Sequence, residues 1–166
     1  MLQPVRRRTW APRGQTPIQR AWDRHDRLSA IAVVTLSPTR RLPSLYFQLL
    51  PHNACAEDMI WFLVQMHRHA RRKVILVWDR SSVHRSAAKF FEREHPEWFQ
   101  FEWLPAYAPD LNPTEQIWNH AKYSDLANFI PKDVTHLNNA VERSFRTQQE
   151  SPTLLKSFFQ YTGLDL

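Results

Sequence analysis

The spacing of apolar positions along the chain changes period several times, and each change marks an element. Residues 28–36 (Leu-Ser-Ala-Ile-Ala-Val-Val-Thr-Leu) are apolar and β-branched and are stopped by Ser37-Pro38, which predicts a strand. Residues 45–50, stopped by Pro51, read as its hairpin partner. From Glu57 to Ala70 the period lengthens. Met59, Phe62, Leu63 and Met66 stand at i, i+3, i+4 and i+7, one stripe of an amphipathic helix. Glu57 and Asp58 in its first turn, and Arg71, Arg72 and Lys73 past its end, complement the helix dipole. Residues 74–78 are continuously apolar, the pattern of a strand buried on both faces. Val83, Ala87, Phe90 and Phe91 form the next helical stripe, ended by His95-Pro96, and residues 99–104 alternate as a strand. Asn112-Pro113 opens a helix containing Ile117, Trp118 and Ala121. Leu137, Ala140, Val141, Ser144 and Phe145 carry another, and Leu154, Leu155, Phe158 and Phe159 the last. The first 27 residues read as strand, turn and irregular chain. This order predicts an α/β fold, a mixed sheet flanked by helices.

Composition narrows the class. At 166 residues the chain fits one domain, and 43% hydrophobic with 13% aromatic residues excludes a disordered chain. The single cysteine, Cys55, forbids an intrachain disulfide and points to a reducing compartment. The longest apolar runs, 60–64 and 74–78, are far too short for a membrane span, and no signal segment opens the chain, so a soluble, cytoplasmic protein is expected. Two glycines against twelve prolines exclude Gly-rich phosphate loops and dinucleotide fingerprints. A net charge of +6 and a pI of 9.9 suit a nucleic-acid partner. The basic clusters Arg6, Arg7, Arg8 and Arg40, Arg41 either track DNA phosphates or are solvated surface charge, while Arg71–Lys73 is accounted for by the helix end before it. Of seven tryptophans, Trp10 and Trp22 lie in polar stretches and are the expected exposed ones.

Two acids stand out by position. Asp79 ends the most apolar strand, where ligands collect in α/β sheets, though a strand-end turn or a helix cap would also place an acid there. Glu115 is the third helical residue after Asn112 as N-cap and Pro113 at N1, where a carboxylate can return to the cap's backbone N–H. One strand with its flanking helix and loop separates the two acids. That spacing can bring both to one sheet edge, where paired acids hold Mg²⁺ and serve phosphoryl displacement.

The run Leu104-Pro105-Ala106-Tyr107-Ala108-Pro109-Asp110-Leu111-Asn112-Pro113-Thr114-Glu115-Gln116-Ile117-Trp118 resembles the proline-rich signature of DDE transposases, nearest to the bacterial insertion-sequence branch of the mariner superfamily. Val77-Trp78-Asp79-Arg80-Ser81-Ser82-Val83-His84 resembles that group's second-aspartate motif. Trp10-Ala11-Pro12-Arg13-Gly14-Gln15-Thr16-Pro17 is similar to the segment after its first-aspartate strand, and Leu126-Ala127-Asn128-Phe129 also matches. The resemblance implies a ribonuclease-H-like (retroviral-integrase-like) fold and cutting and rejoining of DNA strands with two divalent metals, Mg²⁺ or Mn²⁺. It makes Asp79 and Glu115 the second and third metal-binding acids and places His84 and Asn112 beside them in supporting roles.

The family's first aspartate has no counterpart here. Asp23 and Asp26, the only acids before residue 28, fall on the wrong side of Trp10 and Pro17. The expectation is therefore a catalytic domain (1–130) with its first strand missing or incomplete, followed by a C-terminal helical extension (131–166). Such a chain should hold at most one metal well, cut DNA weakly or not at all, and be poorly soluble or marginally stable unless another chain supplies the central strand. Its expected partners are the insertion-sequence ends and target DNA, with a homodimer or an intact transposase as protein partner, in a bacterial nucleoid. The competing expectation, from a different class, is a non-catalytic DNA-binding or regulatory remnant.

Overall fold

The computed structural model describes residues 7–8, 10–15, 18, 28–39 and 42–164. Its elements are β1 (Ser29–Leu36), β2 (Pro43–Leu50), α1 (Ala56–Ala70), β3 (Val74–Trp78), α2 (Ser82–Glu94), β4 (Phe99–Trp103), α3 (Pro113–His120), α4 (Val134–Gln149) and α5 (Pro152–Tyr161). A short 3-10 turn, Pro109–Leu111, precedes α3, and a π-helical turn, Ala121–Asp125, follows it. At the N-terminal end, residues 7, 8 and 10 carry no strand, contrary to expectation. The turn there is present, with Gln15 N–H donating to Pro12 C=O at 3.0 Å.

β1 and β2 pair antiparallel, Ser29 opposite Leu50, and β3 and β4 pair parallel, Val74 opposite Phe99. Among the described residues no ladder joins the two pairs. Alternation decides what each face of the hairpin meets. Ile31 and Leu50 belong to a core with Met59, Phe62, Leu63 and Met66 of α1, Leu76 and Trp78 of β3, and Phe91 of α2. Leu45 on the opposite face joins Ile117 of α3, Val141 and Phe145 of α4, and Leu155 and Phe158 of α5. The α1 stripe is buried as its spacing requires.

β3 departs from its pattern. Leu76 and Trp78 are buried, but Ile75 and Val77 are 63% and 55% exposed. A continuous apolar run was expected to be covered on both faces. Here α1 and α2 cover one, while the C-terminal helices lie against the hairpin instead. Trp10 is fully exposed as expected, but so in large part is Trp61, at 56%, standing beside the buried stripe of α1. Trp22 lies outside the described residues.

Local chemistry fixes the helix ends. Asp133 Oδ1 accepts from His136 N–H at 2.6 Å, capping α4, and Ser151 caps α5. Replacing Asp133 by alanine is expected to cost about 1 kcal/mol, the usual worth of an N-cap, read as a lower urea midpoint with an unchanged slope. α4 is also tied by side chains. Gln149 Nε2 donates to Leu45 C=O at 2.6 Å, and Ser144 Oγ to Asp125 Oδ2 at 2.6 Å. Among the described residues no helix is long and apolar enough to cross a membrane.

Candidate active site

Asp79 follows directly on the last residue of β3. The turn that begins there caps the next helix, with Ser81 Oγ accepting from His84 N–H at 3.2 Å. The same turn aims two donors back at Asp79. Ser81 N–H lies 2.8 Å from Oδ1 and His84 Nδ1 lies 2.6 Å from the same oxygen. An ionised carboxylate can only accept, so His84 presents its Nδ1–H. The imidazole is held flat on Trp78, with ring centroids 4.7 Å apart and planes 15° apart. Trp78 in turn stacks on Trp103 of β4 at 5.6 Å. An aromatic column within the β3–β4 pair therefore sets the imidazole, and the imidazole sets the carboxylate. Both bonds fall on Oδ1.

Glu115 arrives from the other side of the motif. Leu104 N–H donates to Trp78 C=O at 2.9 Å, and Arg80 Nε donates to Leu104 C=O at 3.3 Å, so the end of β4 is fastened beside Asp79. The chain then runs through the 3-10 turn to Asn112, whose Oδ1 accepts from Thr114 N–H at 3.0 Å and starts α3, with Pro113 at the first helical position. Asn112 is thus the N-cap that its sequence context predicts. Glu115 does not close the capping box left open by the sequence, because the Asn112 N–H is already given to Pro109 C=O at 3.0 Å. The Glu115 carboxylate is half-buried and has no hydrogen-bond partner among the described residues.

Charge couples the two acids. Burial pushes the Glu115 carboxyl above its ordinary value, and the negative charge of Asp79 pushes it further in the same direction. Asp79 is itself raised by burial. The Ser81 N–H and the His84 imidazole outweigh that, and its net shift is downward. The signs follow by linkage. Asp79 contributes stability that is present above the ordinary carboxylate range and is lost as pH falls through its lowered value. Ionisation of Glu115 opposes folding as pH rises through its raised value. Glu115→Gln should therefore raise the melting temperature in EDTA at neutral pH. Solvent screening of a half-buried group keeps the gain below about 1 kcal/mol, or up to about 3 °C for a chain of this size. An unchanged or lower melting temperature would show that no repulsion was relieved.

These oxygens fit a hard divalent cation: an Asp79 carboxylate held ionised, and a neighbouring carboxylate with no hydrogen-bond partner among the described residues and a disfavoured charge. Among the described residues no group of three or more His, Cys, Asp or Glu side chains converges to hold a metal. Arg7 and Arg8 are exposed, and the Arg7 N–H is given to Asn128 Oδ1 at 2.8 Å, beside the π-helical turn. Arg6, Arg40, Arg41, Asp23 and Asp26 lie outside the described residues. The partnerless state of Glu115 was not legible in the sequence, which offered only a capping position.

A family model described as DDE superfamily endonuclease matches residues 1–138. A chain from the crystal structure of the Mos1 strand transfer complex superposes with a TM-score of 0.52 at 17% identity, over 98% of this chain and 50% of that one. The chain thus spans about half the length of that structural relative. At this identity the likeness is one of fold, which is ribonuclease-H-like with small sheets flanked by helices. No curated protein matches the chain.

Proposed function

The chain belongs to the DDE superfamily endonucleases, and from that premise we propose that it is a transposase catalytic domain for cutting and rejoining DNA at the ends of an insertion sequence. In this reading Asp79 and Glu115 hold a divalent cation, Mg²⁺ or Mn²⁺. The observation that carries it is the carboxylate pair, in which a half-buried, partnerless Glu115 is pushed up by burial and then by the charge of Asp79. Such a pair gains most from a bound cation. When bound, the cation polarises a phosphodiester oxygen and makes water a stronger nucleophile. The protein's own part is positional. His84 and Ser81 fix one oxygen of Asp79, Asn112 sets the start of the helix that carries Glu115, and Arg6, Arg7, Arg8, Arg40 and Arg41 neutralise DNA phosphates. Residues 131–166 serve as a helical extension of the same domain.

In this reading a third carboxylate comes on a strand seated between β1 and β3, whose edges share the α1 core yet exchange no hydrogen bonds among the described residues. Without it, cleavage is weak. The alternative is a DNA-binding remnant that pairs with an intact transposase and regulates it.

A supercoiled plasmid incubated with the protein and Mg²⁺, alongside the Asp79→Asn variant and a salt series for binding, separates these. Nicking that requires Mg²⁺ and disappears in the variant supports the enzyme. Salt-sensitive binding that survives the substitution, with no nicking, supports the remnant. Neither nicking nor binding would overturn both.

A further inference from the structure

Tyr107 combines two unfavourable features for which the described residues offer no return. Its ring is fully exposed, at 103% of the reference area, and it makes no ring contact or hydrogen bond there. Its backbone stands at φ 57°, the left-handed region that a bulky side chain rarely adopts. Strain of this kind persists where the surroundings impose it, and it concentrates at working sites. The surroundings are evident. The loop is fastened to the end of β3 through Leu104 and Arg80 at one side. It is closed at the other by the 3-10 turn, where Leu111 N–H donates to Ala108 C=O at 3.2 Å. Pro105 and Pro109 stiffen both arms. The apex thus projects an aromatic face into solvent from the loop that runs from the end of β4, fastened beside Asp79, to the Glu115 helix.

We propose that Tyr107 is a base-stacking residue, which receives an unpaired nucleobase of the DNA whose backbone is presented to Asp79 and Glu115. This rests on the DNA-processing reading above. A ring with no protein partner offers a π-face that any base can use, so the site selects for an unstacked base rather than for a sequence. The phenol oxygen is not needed for this. The backbone strain holds the ring clear of the protein, where a relaxed loop would let it fold back.

The test uses the whole chain and two duplexes carrying 2-aminopurine, one in a short single-stranded overhang and one at an internal position. The wild type should quench the probe. Tyr107→Phe should quench it equally, and Tyr107→Ala should lose the quenching and bind about tenfold more weakly, the scale of one base–aromatic stack. Loss at the overhang probe assigns an end base, and loss at the internal probe a base flipped from the duplex. Tyr107→Asn should melt no lower than wild type, because asparagine tolerates the left-handed region, yet bind as the alanine variant does. Wild-type binding and quenching matched by Tyr107→Ala would overturn the proposal alone. A wild type that binds neither duplex would overturn the DNA reading and this proposal with it. A marked fall in melting temperature for Tyr107→Asn would make the residue structural and also overturn it.

Discussion

Phe145→Ala is expected to destabilise the protein by about 3–5 kcal/mol, the usual result of emptying an aromatic site in a closed core. Phe145 is 2% exposed. It meets Phe47 of the hairpin edge-on at 5.2 Å and Trp118 of α3 at 5.4 Å, so one ring of α4 packs against two other elements at once. The neighbours cannot close the gap cheaply. Phe47 is fixed by the β1–β2 register, and Trp118 by a helix whose start is set by Asn112 and Pro113. Most domains hold only about 5–15 kcal/mol in total, so the loss should bring a large unfolded population within reach of mild urea. The check is equilibrium urea unfolding. A midpoint that falls steeply at constant slope confirms it, and a change below about 1 kcal/mol would mean that this second core is loosely packed.

Asp79→Asn should remove the divalent-cation response almost entirely. A ligand that binds only the folded state at ten times its Kd adds about 1.4 kcal/mol, which is roughly 3–5 °C here. The wild type should show that rise between EDTA and saturating Mg²⁺ or Mn²⁺, and the variant should show close to none. Asparagine is the informative replacement because its Oδ1 can still accept from Ser81 N–H and His84 Nδ1–H. The turn is therefore kept while the charge is lost. It removes the charge that adds to the upward push of burial on Glu115 and forfeits the stability that ionised Asp79 draws from Ser81 and His84, so the cation response of each protein is read against its own melting temperature in EDTA. An equal cation response in both proteins would place the bound metal elsewhere.

The limits of the sequence reading are seen in single residues. Met59, Phe62, Leu63 and Met66 announced their helix because a helical stripe is a local, repeating signal, and all four are buried. Asn112 announced its cap because the motif needs only its next two neighbours. Ile75 and Val77 misled, since an apolar side chain records a tendency to be covered and says nothing of whether a covering element arrives. Glu115 was ambiguous for a similar reason. Its position suits a capping box, and only the hydrogen bond from Asn112 to Pro109 removes that use for its carboxylate. The helix begun at Asn112 was traceable as far as Ala121. Its passage into a π-helical turn there was not, and that turn brings Asp125 to Ser144 of α4.

The sequence by itself determined where most strands and helices fall, which stripe of each helix is apolar, how α3 begins at Asn112, and which two motifs carry the acids. These depend on neighbours a few positions apart, so period and cap chemistry suffice. Only the tertiary structure decided that the hairpin is covered on both faces and β3 on one, that an aromatic column holds His84 against Asp79, and that Glu115 meets the charge of Asp79 without a partner of its own. Burial and charge coupling act through space between residues far apart in the chain, and they exist only once the packing has chosen which distant segments meet.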